Sequence, residues 1–134
     1  MTTVCVGFDF SAHARRAGEW AAAYAQRCGA DVVLVHAIGL REHAEASDPM
    51  IALTAAAAEI ATAAGLDTAR VRSYVDYGDA CTVLERCASA PLSASLLVVG
   101  TRGHDAHAGL LLGSTSLELA EHATIPVVIV PSDL

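Results

Sequence analysis

The segment of this chain best suited to chemistry carries few reactive side chains. Gly100-Thr101-Arg102-Gly103 is followed by nine residues and then by Gly113-Ser114-Thr115. Glycines let backbone come close to a ligand. A helix starting at Gly113 would offer unpaired amides and a partial positive charge. The Ser114 and Thr115 hydroxyls would add donors, and Arg102 a guanidinium. Together these parts form a cradle for an anion such as a phosphate. A plainer account uses the same residues. Gly100 and Gly103 would make a turn, and Thr115-x-x-Glu118 would form a capping box that consumes the amides a phosphate needs.

Other candidates are fewer. Asp9 stands at the end of an apolar run, where it serves either a ligand or the entry to the next helix. Arg102 reads equally as a phosphate contact or a solvated loop residue. His104-x-x-His107, with Asp105 between, has the spacing of a metal pair, against which stands the commoner solvated loop histidine. His36 and His122 read as structural, and His13 as exposed. Ser11 and Ser114 lack the glycine pattern of a nucleophile elbow. Asp9, Asp76 and Thr101 fall near three strand ends, as a phosphoryl-accepting receiver site requires, but the lysine such a site needs is missing.

Composition narrows the field further. All eight basic residues are arginines. Without lysine, a P-loop, a protein-kinase site and a lysine Schiff base are excluded. The net charge of −7 argues against nucleic acid and anionic membranes. Cys5, Cys28, Cys81 and Cys87 form no Cys-x-x-Cys pair and read as buried free thiols. No apolar run reaches the length of a membrane span. No leader pattern precedes Val4, so a cytoplasmic location is expected.

The elements that must position these residues alternate along the chain. Apolar, β-branched runs occur at Val4–Phe8, Val32–Val35, Val71–Val75, Leu96–Val99 and Val127–Val130, with helical spacing between them. That alternation predicts an α/β fold with a parallel sheet covered on both faces, as one domain over residues 1–134. The first helix spans Ala12 to Cys28, with Ser11 as N-cap, Gly29 as stop, and Ala14, Ala17, Ala21, Tyr24 and Cys28 inward. The second opens at Asp48-Pro49, faces inward through Met50, Leu53, Ala57, Ile60 and Ala64, and ends at Gly65. The third follows Gly78-Asp79 and is closed by Pro91. The last follows Gly113, with Leu117, Ala120 and Ala123 expected inward. Arg41–Ser47 reads as an exposed loop.

These segments, in this order, resemble the universal stress protein family over nearly the whole chain. The carriers are Gly100-x-x-Gly103 with Gly113-Ser114, which looks like the family's ATP-binding signature, Val6-Gly7-Phe8-Asp9-Phe10-Ser11, Val35-His36-Ala37, Gly78-Asp79-Ala80, and Ala123-Thr124-Ile125-Pro126 leading into the last strand. The resemblance implies an open five-stranded parallel sheet in the order 3-2-1-4-5, with helices on both faces and a Rossmann-like character. It implies ATP, with magnesium, held by Gly7, Asp9, Ala37, Gly100, Arg102, Gly103, Gly113, Ser114 and Thr115. Asp9 would lie against the nucleotide and Ala37 near the adenine. Thr115, where the family commonly has a small apolar residue, and the rings of Phe8 and Phe10 depart from the pattern. A regulatory, non-enzymatic role and a homodimer through Val127–Val130 also follow, the alternative being a nucleotide-free dimeric interaction module.

Overall fold

The computed structural model describes residues 2–39, 48–102 and 112–131. Within them the chain forms strands β1 (Thr3–Gly7), β2 (Asp31–Ile38), β3 (Val71–Tyr77), β4 (Leu96–Gly100) and β5 (Val127–Val130). Helices α1 (Ala12–Cys28), α2 (Pro49–Ala64), α3 (Ala80–Arg86) and α4 (Ser114–His122) connect them. The strands are parallel and lie in the order β3-β2-β1-β4-β5, as expected.

The period of two along each strand sorts side chains between two cores. Val4, Val6, Val32, Leu34 and Val98 face the buried alanines of α1 and the Leu53–Ile60 face of α2. Cys5, Val33, Val35, Leu97 and Val99 face Val83, Leu84 and Leu119 of α3 and α4. Where both faces are covered, as in β1 and β4, the strands read as unbroken apolar runs, whereas β3 at the edge carries Arg72, Ser73 and Asp76. Small residues let the helices sit low on the sheet. Ala14, Ala17, Gly18, Ala21, Ala22 and Ala25 form the buried stripe of α1.

The helix ends follow the local sequence closely. Ser11 caps α1 through its Oγ, which accepts from the Ala14 amide at 3.1 Å. Asp48 caps α2 and Asp79 caps α3, each by a carboxylate oxygen at 3.0 Å from a first-turn amide. Gly29 and Gly65 end α1 and α2 in the left-handed conformation, both at φ 74°.

Three inward faces differ from expectation. Met50, in the first turn of α2, is exposed, and the buried face begins at Leu53. Cys28 continues the spacing of α1 but is exposed, whereas Cys5, Cys81 and Cys87 are buried. Periodicity fixes the side of a helix a residue occupies; it does not say whether sheet still lies beneath the final turn. In α4, Ser116 and Leu119 are buried, while Leu117 is 49% exposed and Ala120 exposed. Ser116 fixes that rotation, since its Oγ donates to the carbonyls of Gly113 and Thr101 at 3.0 and 3.1 Å.

Gly100 sets how close α1 comes to β4. A Cβ there would stand 2.7 Å from the His13 carbonyl oxygen and 2.9 Å from its carbon. Backbone cannot yield as a side-chain tip can. Gly100→Ala is therefore expected to lower the unfolding free energy by about 1–3 kcal/mol. Urea melts would measure this, with Gly39→Ala, whose Cβ meets nothing within 4 Å, as the control that stays close to wild type.

Candidate functional site

The strand order reverses at β1, which is bonded to β2 on one side and to β4 on the other. Crossovers of constant hand then place α1 and α2 on one face and α3 and α4 on the other. The chains leaving β1 and β4 diverge, and a crevice opens at the carboxyl edge between them. The structure has a cavity of about 450 Å³ there, within the usual size range of small-molecule sites.

Gly7, Asp9, Ala37, Gly100, Arg102, Gly113, Ser114 and Thr115 all line this cavity. Gly103 lies outside the described residues, as do His104, Asp105, His107 and the segment Arg41–Ser47. Sequence reasoning missed Phe8, His36, Gly39, Asp79 and Ser116 as lining residues. Asp79 carried a legible signal, because it caps a helix that starts at the same sheet edge. Ser116 carried a weaker one, as a hydroxyl three residues beyond a glycine N-cap.

Three helices begin at the rim, and their N-termini are not alike. Ser11 occupies the end of α1 and Asp79 the end of α3 with their own side chains. The N-cap of α4 is Gly113, which supplies no side-chain cap. The Thr115–Glu118 capping box does not close this end, because Thr115 sits inside the helix. Thus α4 alone among the four presents first-turn amides that no cap side chain covers, and its first three residues line the cavity. Its partial charge favours an anion.

The β1–α1 turn is built around Asp9. Its Oδ1 accepts from the Ser11 amide at 3.0 Å. The turn carries Phe10 at φ 65°, a conformation in which a bulky side chain is rare. The two rings beside Asp9 leave the cavity open. Phe10 stands edge-on to Phe8, with centroids 5.2 Å apart, and to His36 at 5.0 Å. The Arg15 guanidinium lies 5.9 Å from the Phe8 ring centroid. His36 Nδ1 is 2.8 Å from the Phe8 carbonyl oxygen. A carbonyl only accepts, so Nδ1 carries the proton.

The remaining candidates resolve as follows. Asp76 pairs with Arg86 at 3.2 Å. Neither Asp76 nor Thr101 lines the cavity, so the receiver arrangement is not assembled. His122 is a surface residue whose Nε2 lies 3.8 Å from Glu121, a correction to its structural reading. His13 is half-buried, not exposed, and its Nδ1 is shut from solvent without a hydrogen-bond partner among the described residues. Burial, with Glu85 and Glu118 nearby, pushes the Cys81 thiol up to about 12. Hydrogen bonding to Cys87 raises Cys5, and burial raises it further. The same bond draws Cys87 down against its own burial. Among the described residues no group of three or more His, Cys, Asp or Glu could hold a metal ion.

The fold defines the class: open, parallel α/β proteins with a cavity at the switch point. The chain belongs to the universal stress protein family, whose sequence pattern matches residues 1–131. A universal stress protein solved in complex with cAMP is 30% identical, with a TM-score of 0.76 over 96% of this chain and 95% of that one. UspA from Lactobacillus plantarum is 22% identical, with a TM-score of 0.72 over 96% and 97%. The Archaeoglobus fulgidus protein in complex with dAMP is 20% identical, with a TM-score of 0.68 over 96% and 97%. None of the curated proteins matches the sequence. No helix among the described residues is long and apolar enough to cross a membrane.

The Asp79 cap gives the rim a pH response. Its carboxylate accepts from the Thr82 amide at 3.0 Å and from the Thr82 hydroxyl at 2.8 Å. Those bonds hold it below its ordinary value of 3.8. A depressed carboxylate stabilises the fold above its unfolded pKa, and that stability is lost as pH falls through the folded one. Asp79→Ala is expected to cost about 1 kcal/mol near neutral pH. The gap to wild type should narrow in urea melts taken progressively below pH 4.

Proposed function

We propose that this chain is an ATP-binding regulatory module of the stress response, with magnesium accompanying the nucleotide. The observation that carries the reading is the open end of α4 on the cavity at the switch point. The other helices spend a side chain on their own first-turn amides. Here Gly113 leaves them to a ligand. The nucleotide-bound relatives support a nucleotide as that ligand.

In this reading the amides of Ser114, Thr115 and Ser116 and the hydroxyls of Ser114 and Thr115, with Arg102, receive the phosphates. Ala37, His36 and Val35 form the opposite wall, suited to an apolar base. Gly7 and Gly100 keep the floor low, and Gly103 closes the signature. The role is binding and not turnover. Asp9, the candidate base, already accepts from the Ser11 amide. The four free cysteines suit a reducing cytoplasm. A homodimer through β5 accounts for an edge strand whose Val127, Val128 and Ile129 are half-buried in one chain.

A second reading, a nucleotide-free interaction module, has one observation in its favour. Gly100 is already explained by its contact with His13. Gly113 has no such explanation: at φ −76° and ψ 172° it adopts a conformation open to any residue.

The decisive assay uses protein purified without added nucleotide. After denaturation, ion exchange of the soluble fraction should yield near-stoichiometric adenine nucleotide. A chain with none, and with no response to Mg-ATP, would leave the interaction module standing. Gly113→Val should weaken nucleotide binding at least tenfold in calorimetry. Its cost in stability should be about 1 kcal/mol or less, since valine is a poorer cap than glycine.

A further inference from the structure

The charge of the cavity restricts the nucleotides it can hold. Among the described lining residues the ionised side chains are Asp9, Asp79 and Arg102, two carboxylates against one guanidinium. The open end of α4 adds about half a positive charge. Four further arginines lie on the helices that wall the cavity, and none of them lines it. Arg15 pairs with Glu59 and Arg86 with Asp76, each at 3.2 Å, while Arg16 and Arg27 stand on the exposed side of α1. Residues 103–111 contain neither arginine nor lysine, and residues 40–47 set Arg41 against Glu42 and Glu45.

Nucleotides differ sharply on this scale. A triphosphate carries roughly four negative charges near pH 8, a monophosphate about two and a cyclic monophosphate about one. The site can neutralise about one and a half with Arg102 and the helix end, while Asp9 and Asp79 repel the remainder. Sites that take a bare polyphosphate supply a lysine or an arginine cluster; this chain has no lysine, and Arg102 is the one arginine among the described lining residues. The fit is therefore good for a phosphate of low charge and poor for a bare triphosphate.

We infer that the site selects nucleotides by phosphate charge. Without a divalent cation it takes adenosine monophosphate or its cyclic ester and rejects free ATP, which enters only as its magnesium complex. This rests on the nucleotide-binding reading above. In this inference the cation arrives on the phosphates. One or two carboxylates suffice to receive magnesium held that way, and Asp9 and Asp79 are the two at the site. The carboxylates that repel free ATP are those that welcome its magnesium complex.

Calorimetry on the nucleotide-free full chain at pH 8 tests this with cyclic AMP, AMP and ATP in EDTA, then with magnesium. The two low-charge nucleotides should bind at least tenfold more tightly than ATP in EDTA. Magnesium should raise the ATP affinity tenfold or more and leave cyclic AMP within twofold. Free ATP binding as tightly as cyclic AMP would overturn the inference and leave the nucleotide reading intact. A chain that binds none of the three, with or without magnesium, fails the nucleotide reading itself. Asp79→Asn keeps a capping side chain and should remain folded, with a melting temperature between those of wild type and Asp79→Ala. It should also raise the affinity for free ATP severalfold relative to cyclic AMP; an unchanged ratio counts against the charge argument.

Discussion

Everything at the functional end of this molecule depends on β1 being paired on both sides. With β2 on one edge and β4 on the other, the connections leave the sheet toward opposite faces. Among the described residues none fills the space where they part. The crevice is a consequence of parallel strands, helical crossovers of one hand, and a reversal of order. Side chains tune it, but they do not create it.

The same geometry brings the starts of α1, α3 and α4 to one rim, because in a parallel sheet each helix begins where a strand ends. Each start carries orphan amides and a share of positive potential. Two are quenched locally, by Ser11 and Asp79, and one is not. That asymmetry turns a topological gap into a directional site. An anion has one favourable side to approach, and the opposite wall is left to Ala37 and Val35. Gly100 belongs to both accounts. It lies on the cavity, yet its missing Cβ is required by the His13 carbonyl. The glycine signature is thus partly a packing signature, and Gly113, with an unremarkable backbone, is the cleaner reporter of ligand binding.

Much of this was legible in the sequence because the relevant physics is local. Ser11, Asp48 and Asp79 announce their helices by capping chemistry, and Gly29 and Gly65 end theirs by the left-handed turn. The strand runs were visible because both faces of the sheet are covered. What was not legible is tertiary. The rotation of α4 is decided by Ser116 reaching the Thr101 carbonyl across the site, which a nine-residue periodicity does not contain. Cys28 reads as inward until one knows where the sheet ends. His36 reads as a strand residue until the fold sets its ring against the Phe8 carbonyl and on the cavity wall. Proximity of Asp79 to the Gly113 segment follows only from strand order, since the two are far apart in sequence.

A site made of backbone amides has a property that a lysine-based site lacks. Its positive potential is fractional and fixed in direction, so the surrounding formal charges decide what it accepts. In a chain with no lysine and a net charge of −7, that background is acidic. Lysine supplies a compact, mobile charge that follows a phosphate chain, whereas α4 supplies about half a charge at one place. On the proposed reading the first phosphate would meet the helix end and Arg102, and further phosphates would meet Asp9 and Asp79. A divalent cation reverses the sign of that second encounter. On the proposed reading the carboxylates at the rim would therefore act as a filter on phosphate number, and the glycines would only determine how near the first phosphate can come.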